Sequence, residues 1–224
     1  MPSALFIPDV MTRKAPSLRD LVEQYGQPYS ELLAIDLRTG RKEEIAKWFL
    51  AAILYSKPIR ESSATKTYRC FAEGGVTSSD AILRTGWDGL VTLLDAGGYT
   101  RYDFSTATKL LAIFGNLEKD YRGDLNQLHE LARDASDLEN RLKALGKGIG
   151  DTTVSIFLRD MRMAWKKANP KPTQLVRNAM RSLKIKNLDA YTRKNHLDPV
   201  RLDTALLRLG RDFIKKGKPI RVTA

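Results

Sequence analysis

Residues 145 to 158 read LGKGIGDTTVSIFL, a glycine-bearing joint between two apolar helical runs. Gly148 and Gly150 carry no Cβ, so they accept positive φ and let a foreign backbone come close. The amides of residues 148 to 152, with Ile149 between the glycines, are then free to face outward where the second helix begins. Unpaired N–H groups and the helix dipole at such an end favour an anion. Lys147 adds a formal charge beside them, Asp151 or Thr152 is expected to cap the helix, and Thr153 follows. These residue types at this spacing can grip a phosphate through main-chain nitrogen.

Most of the chain repeats its apolar residues at helical period. Ile45, Trp48, Phe49, Ala52 and Ile53 share one face; Ala107, Leu110, Leu111 and Phe114 share another; Val154, Phe157, Leu158, Met161 and Trp165 a third. Leu202, Ala205, Leu206, Leu209 and Phe213 complete the set. Strand signals are nearly absent, so the pattern predicts an all-α fold of about ten helices. Punctuation agrees with this. Ser78 or Ser79 with Asp80 caps a helix towards Leu83, TGWDGL breaks and restarts the chain, DAGGY supplies a glycine stop, and Pro58 ends a helix after Lys57. The tryptophans Trp48, Trp87 and Trp165 fall at core spacing.

Charge is unevenly divided. Residues 1 to 140 hold 17 Lys and Arg against 20 Asp and Glu, whereas residues 141 to 224 hold 21 against 6. A basic last third points to a polyanion, and nucleic acid is the commonest one in a cell; a solvated basic surface or a membrane-surface patch has the same composition. KKANPKP and KKGKPIR read as phosphate-facing patches or as solvated segments. A single cysteine, Cys70, excludes a disulfide framework and any multi-thiolate iron–sulfur or zinc site, and reads as a small buried side chain. His129 and His196 have no matching ligand cluster, so no metal site is expected. No run reaches the length of a membrane span, and MPSALFIPDVMTRK lacks a signal-peptide core. An intracellular protein is expected, cytoplasmic and nucleoid-associated or nuclear, working as a monomer away from membranes.

The Leu145, Gly148, Ile149, Gly150, Thr153 pattern resembles the helix-hairpin-helix element of DNA glycosylases of the endonuclease III and AlkA type. WFLAAILYSKPIRESSATKTYRCF resembles that family's opening helix and wedge loop, WDGLVTLLDAGGYTRYDFSTATKLLAIF its helix, glycine turn and following helix, and LDTALLRLGRDFI its helix ending LxxxGR. Roughly residues 40 to 216 follow the family's order of elements. The resemblance implies two helical domains with a cleft between them: a six-helix domain over residues 41–149 ending in the hairpin, and a second built from 1–40 plus 150–224. It implies double-stranded DNA as the partner, its phosphate held by the hairpin. Lys57 would be the wedge filling the gap left by an extruded base, or else an exposed lysine at a helix end. Tyr99 and Tyr102 would lie by the base pocket, or else in the core. No resident cofactor is implied, with room for a monovalent cation at the hairpin.

Two positions depart from the family. Thr152 stands where bifunctional members carry a nucleophilic lysine, so no lysine-based lyase is expected. Pro172 stands where the family places the aspartate that offsets positive charge on the sugar. Asp103 and Asp160 are the substitute carboxylates; the rival readings are a helix cap for Asp103 and surface ion pairs with Arg159 and Arg162 for Asp160. The expected activity is a monofunctional, base-flipping glycosylase that hydrolyses the N-glycosidic bond of a damaged or mismatched base. The alternative is a non-catalytic module that recognises distorted DNA.

Overall fold

The structure, a computed structural model, describes residues 15–220. The opening stretch MPSALFIPDVMTRK and Arg221 of KKGKPIR lie outside the described residues. Twelve α-helices and no strand occur among the described residues, so the fold is all-α. They are α1 (Leu18–Tyr25), α2 (Tyr29–Leu32), α3 (Lys42–Tyr55), α4 (Glu61–Glu73), α5 (Ser79–Gly97), α6 (Asp103–Tyr121), α7 (Leu125–Leu131), α8 (Ala135–Ala144), α9 (Asp151–Met161), α10 (Gln174–Ser182), α11 (Leu188–Asn195) and α12 (Pro199–Asp212). Short 3-10 turns sit at Leu37–Thr39 and Ile214–Lys216.

Local chemistry accounts for the helix ends. Ser78 Oγ accepts the Ala81 amide at 3.2 Å and starts α5. Gly86, at φ 67° and ψ 179°, breaks α5 within TGWDGL, and Gly98 in the left-handed region closes it. α3 stops at Tyr55, three residues before Pro58. Asp198 caps α12 through the amides of Val200 and Arg201, with Pro199 in the first turn.

The buried apolar side chains form two clusters. The larger one gathers residues from Tyr29 to Ala168, with α3 as its central rod: Trp48, Phe49, Leu50 and Leu54 are fully enclosed there. The smaller one joins Val22 of α1 to Val176, Ala179, Leu202 and Leu206 of the C-terminal helices. The two cores therefore part between α1 and α2 and again after Ala168, so Tyr29, Ile35, Leu37 and all of α9 pack with the larger core.

Polar contacts tie the clusters together. Arg162 Nη1 donates to Asp203 Oδ2 at 2.7 Å, and Arg159 Nε lies 3.6 Å from Asp203 Oδ1, joining α9 to α12 in a buried network. Arg208 donates to the carbonyls of Tyr25 and Gln27, and Arg201 pairs with Glu31. Breaking such a buried pair on one side leaves an uncompensated charge, which is why the arrangement pins α12 on α9.

Several readings of single residues change. Trp48 and Trp165 are core, but Trp87 is 40% exposed and packs on Phe104, itself 59% exposed, at a centroid distance of 5.3 Å. Cys70 is half-buried rather than enclosed. Lys167 of KKANPKP donates to the carbonyls of His129 and Glu130, closing the end of α7, while His129 stacks on Trp165 at 4.7 Å.

Candidate functional site

The α8–α9 turn is assembled by three glycines with three separate tasks. At Gly146 a Cβ would come within 2.9 Å of Ile113 Cγ1, so its absence lets the turn lie against α6. Asn116 Nδ2 fastens it there through Leu145 O at 2.9 Å. Gly148 adopts φ 120°, a conformation L residues rarely take. Gly150 is the N-cap of α9, at φ −105° and ψ −173°, and nothing lies within 4 Å of where its Cβ would stand. Ile149, between them, is buried in the larger core and anchors the loop from beneath.

That geometry leaves donors open. Among the described residues the amides of Gly148, Gly150, Asp151 and Thr152 meet no acceptor; Val154 is the first of α9 to bond, to Gly150 O at 3.0 Å. Gly150, Asp151 and Thr152 are all exposed. Neither Asp151 nor Thr152 caps the helix, because the cap position belongs to Gly150, which has no side chain to offer. The Asp151 carboxylate instead takes Lys143 Nζ at 2.6 Å, which holds its pKa below the usual carboxylate range and screens the one negative charge at this helix start. Thr153 is buried, its hydroxyl 3.5 Å from Gly148 O.

Two lysines border this turn, and a third lies against one of them. Lys147 is exposed within it. The stem of Lys109, on α6, runs past Gly148, with Cδ 3.0 Å from the position a Cβ would take. Lys57, half-buried in the loop between α3 and α4, lies against Lys109; burial, followed by the charge and hydrogen bond of Lys109, pushes the Lys57 pKa down. No carboxylate is within ion-pair distance of Lys57 or Lys109 among the described residues. Lys57 and Lys109 thus lie side by side without a counter-charge, and the Lys109 stem passes the turn that carries the open amides. Lys109 was not legible from the hairpin pattern, because it reaches the turn from a helix some forty residues earlier.

A cavity of about 690 Å³ opens beside the turn, lined by Thr152 and Ile156 of α9, Glu139 of α8, and Lys171, Pro172 and Arg177 beyond. Thr152 and Pro172, the two positions of departure, thus face one space. A second cavity of about 510 Å³ adjoins it, sharing Ile156, Arg159 and Leu207.

The remaining sequence-derived candidates lie away from both cavities. Asp160 is fully buried rather than on the helix surface; Oδ2 accepts the Ser30 amide at 3.0 Å, and burial, opposed by Arg159 and that amide, raises its pKa. It anchors α2 to α9 and cannot reach a ligand in either cavity. Asp103 opens α6 at its first residue instead of capping a helix at Ser105 or Thr106, and its Oδ1 accepts the Phe104 amide at 2.6 Å. Lost hydration and the neighbouring Asp103 carboxyl hold the Asp95 pKa above the usual range. Tyr99 is 1% exposed and donates to Leu54 O at 2.6 Å, so its ring is a post of the core; Tyr102 is half-buried, 6.3 Å from it.

Fold and site together define an all-helical protein with an exposed turn of unpaired amides next to a cavity lined by Lys171, Arg177 and Glu139. Comparison with protein-family models, with curated proteins and with solved structures returns no match.

Proposed function

We propose that the protein binds the phosphate backbone of double-stranded DNA at the α8–α9 turn and acts in base-excision repair as a monofunctional glycosylase, hydrolysing the N-glycosidic bond of a damaged or mismatched base. One observation carries this reading: the open amides of Gly148, Gly150, Asp151 and Thr152 stand at a turn crossed by the stem of Lys109, and neither Lys109 nor the neighbouring Lys57 has an acidic partner among the described residues. Backbone amides at a helix start bind phosphate without reading sequence, and lysines add counterion-release affinity. The cavity next to the turn gives an extruded base somewhere to go.

Thr152 offers a hydroxyl and no amine nitrogen, so strand scission through an imine formed at this position is not expected. A carboxylate that offsets charge on the sugar has to reach the cavity. Glu139 does so, and Asp151 is committed to Lys143. Glu139 therefore takes the part first considered for Asp103 and Asp160. A second reading, a non-catalytic module recognising distorted DNA, is supported by Thr152 and Pro172 facing the cavity where the resembled enzymes carry a lysine and an aspartate.

Incubation with duplexes bearing a panel of lesions, followed by alkali to break abasic sites, separates the readings. Cleavage lost in Glu139→Gln supports the hydrolase; duplex binding without cleavage of any lesion leaves the module. Failure to prefer duplex DNA over RNA and single strands across a salt series would remove both.

A further inference from the structure

The outer face of α5 and α6 carries an aromatic surface that neither the turn nor the cavities use. Gly86 breaks α5 immediately before Trp87, and Trp87, Val91 and Asp95 then fall four residues apart along one line of the helix. The exposed rings of Trp87 and Phe104 lie 5.3 Å apart with a tilt of 35°, so they present one continuous surface to solvent. Trp87 Nε1 donates to Thr108 Oγ1 at 3.1 Å, which fixes the indole and leaves its face, rather than its N–H, for a partner. Trp48 and Trp165, by contrast, are enclosed. A tryptophan held rigid in solvent beside a second exposed ring has the composition of an interface anchor.

The charges around these rings run against those of the chain. Residues 79 to 108 hold Asp80, Asp88, Asp95 and Asp103 against Arg84 and Arg101, in a protein of net charge +12. Arg84 is taken up by Asp80 at 2.6 Å, and Arg101 leans over Tyr102. The Asp95 and Asp103 carboxyls touch, and no cation pairs with either of them, or with Asp88, among the described residues.

We propose that this face docks an arginine-bearing, partly apolar segment of a partner protein, its guanidinium groups meeting Asp95 and Asp103 and its apolar side chains covering Trp87 and Phe104. Charge selects the class. Carboxylates beside the rings repel a nucleic-acid strand and an anionic membrane, two other surfaces on which exposed aromatics come to lie. A planar guanidinium both stacks on an aromatic face and forks onto a carboxylate, which an ammonium does not. The cationic remainder of the protein repels such a segment and steers it towards this face. The backbone-binding reading is not needed for this docking.

The indole N–H signals of the full chain, followed by NMR at about 0.15 M salt, test the surface. The probes are an acetylated, amidated peptide alternating arginine and leucine, its lysine–leucine and glutamate–leucine counterparts, and oligothymidylate. The arginine peptide shifts the Trp87 signal saturably, leaves those of Trp48 and Trp165 in place, and binds more tightly than the lysine peptide. Trp87→Ala, and Asp95→Asn combined with Asp103→Asn, each weaken it about tenfold, read at the Thr108 amide, with the thermal midpoint held. Absence of a saturable shift, equal affinity for the lysine or glutamate peptide, or unchanged affinity in either variant overturns the proposal. Oligothymidylate moving the Trp87 signal makes the face a base-stacking platform, and a dimer in sedimentation that Trp87→Ala dissolves makes its occupant a second copy of the chain. Either result overturns it as well.

Discussion

Gly150→Ala separates folding from binding more cleanly than any other change at the turn. The glycine sits at φ −105° and ψ −173°, extended backbone that alanine adopts freely, and its Cβ would meet nothing within 4 Å. Alanine at an N-cap costs up to about 1 kcal/mol relative to a good cap, and a less flexible unfolded chain returns about 0.4–1 kcal/mol. Stability should therefore stay within about 1 kcal/mol of wild type, or roughly 2–4 °C in Tm for a chain of this size. The added methyl nevertheless stands in the space through which a phosphate oxygen reaches the open amides. Losing one charge-assisted hydrogen bond, worth about 1.5–3 kcal/mol, lowers DNA affinity roughly ten- to hundred-fold. Amides carry no formal charge, so the slope of log affinity against log salt should not change. Fluorescence anisotropy with a labelled duplex over a salt series, alongside thermal melts, reads all three quantities. Unchanged affinity with normal folding would refute the main-chain grip. Gly148→Ala is a poorer probe: φ 120° and the Lys109 stem 3.0 Å away make it lose stability, by about 1–3 kcal/mol, together with binding.

Other outcomes follow from the same geometry. Lys57→Gln and Lys109→Gln should each weaken duplex binding and reduce the salt slope by about 1, the opposite signature to Gly150→Ala; a slope unmoved by Lys109→Gln would take that residue out of the interface. Asp203→Ala strands Arg159 and Arg162 in the interior and should cost about 3–5 kcal/mol, seen in urea titration; a loss under 1 kcal/mol would show the pair to be solvated. Asp160 has a folded pKa raised above its ordinary 3.8, so its contribution is fully present below that value and is lost as pH rises through the folded value. Asp160→Asn keeps an acceptor for the Ser30 amide and removes the dependence, so its Tm should gain on wild type as pH climbs from about 4 towards neutral. A pH-independent difference between the two would contradict the burial argument.

Along the chain, the helices and their ends were legible because their causes are local. Ser78, Gly86, Gly98 and Pro58 act within a few residues, and apolar period reports a buried face directly. The glycines of the turn were legible for the same reason. Asp160 was misread because alternation along one helix cannot distinguish a surface between two arginines from an interface with α2 and α12; burial there comes from Ser30 and Asp203, distant in sequence. For Tyr99 the sequence left base pocket and core open, and the choice of core is made by Leu54 on another helix, whose carbonyl takes its hydroxyl.

The amino-acid order alone thus determined an all-helical chain, a concentration of positive charge in its last third, and a glycine-bearing turn at the start of α9. Only the folded arrangement decided that the Lys109 stem passes that turn, that Thr152 and Pro172 face one cavity, and that Glu61 and Arg159 line the one adjoining it. The reason is that backbone conformation is set by neighbours in sequence, whereas burial, unpaired polar atoms and the meeting of charges depend on which helices pack together.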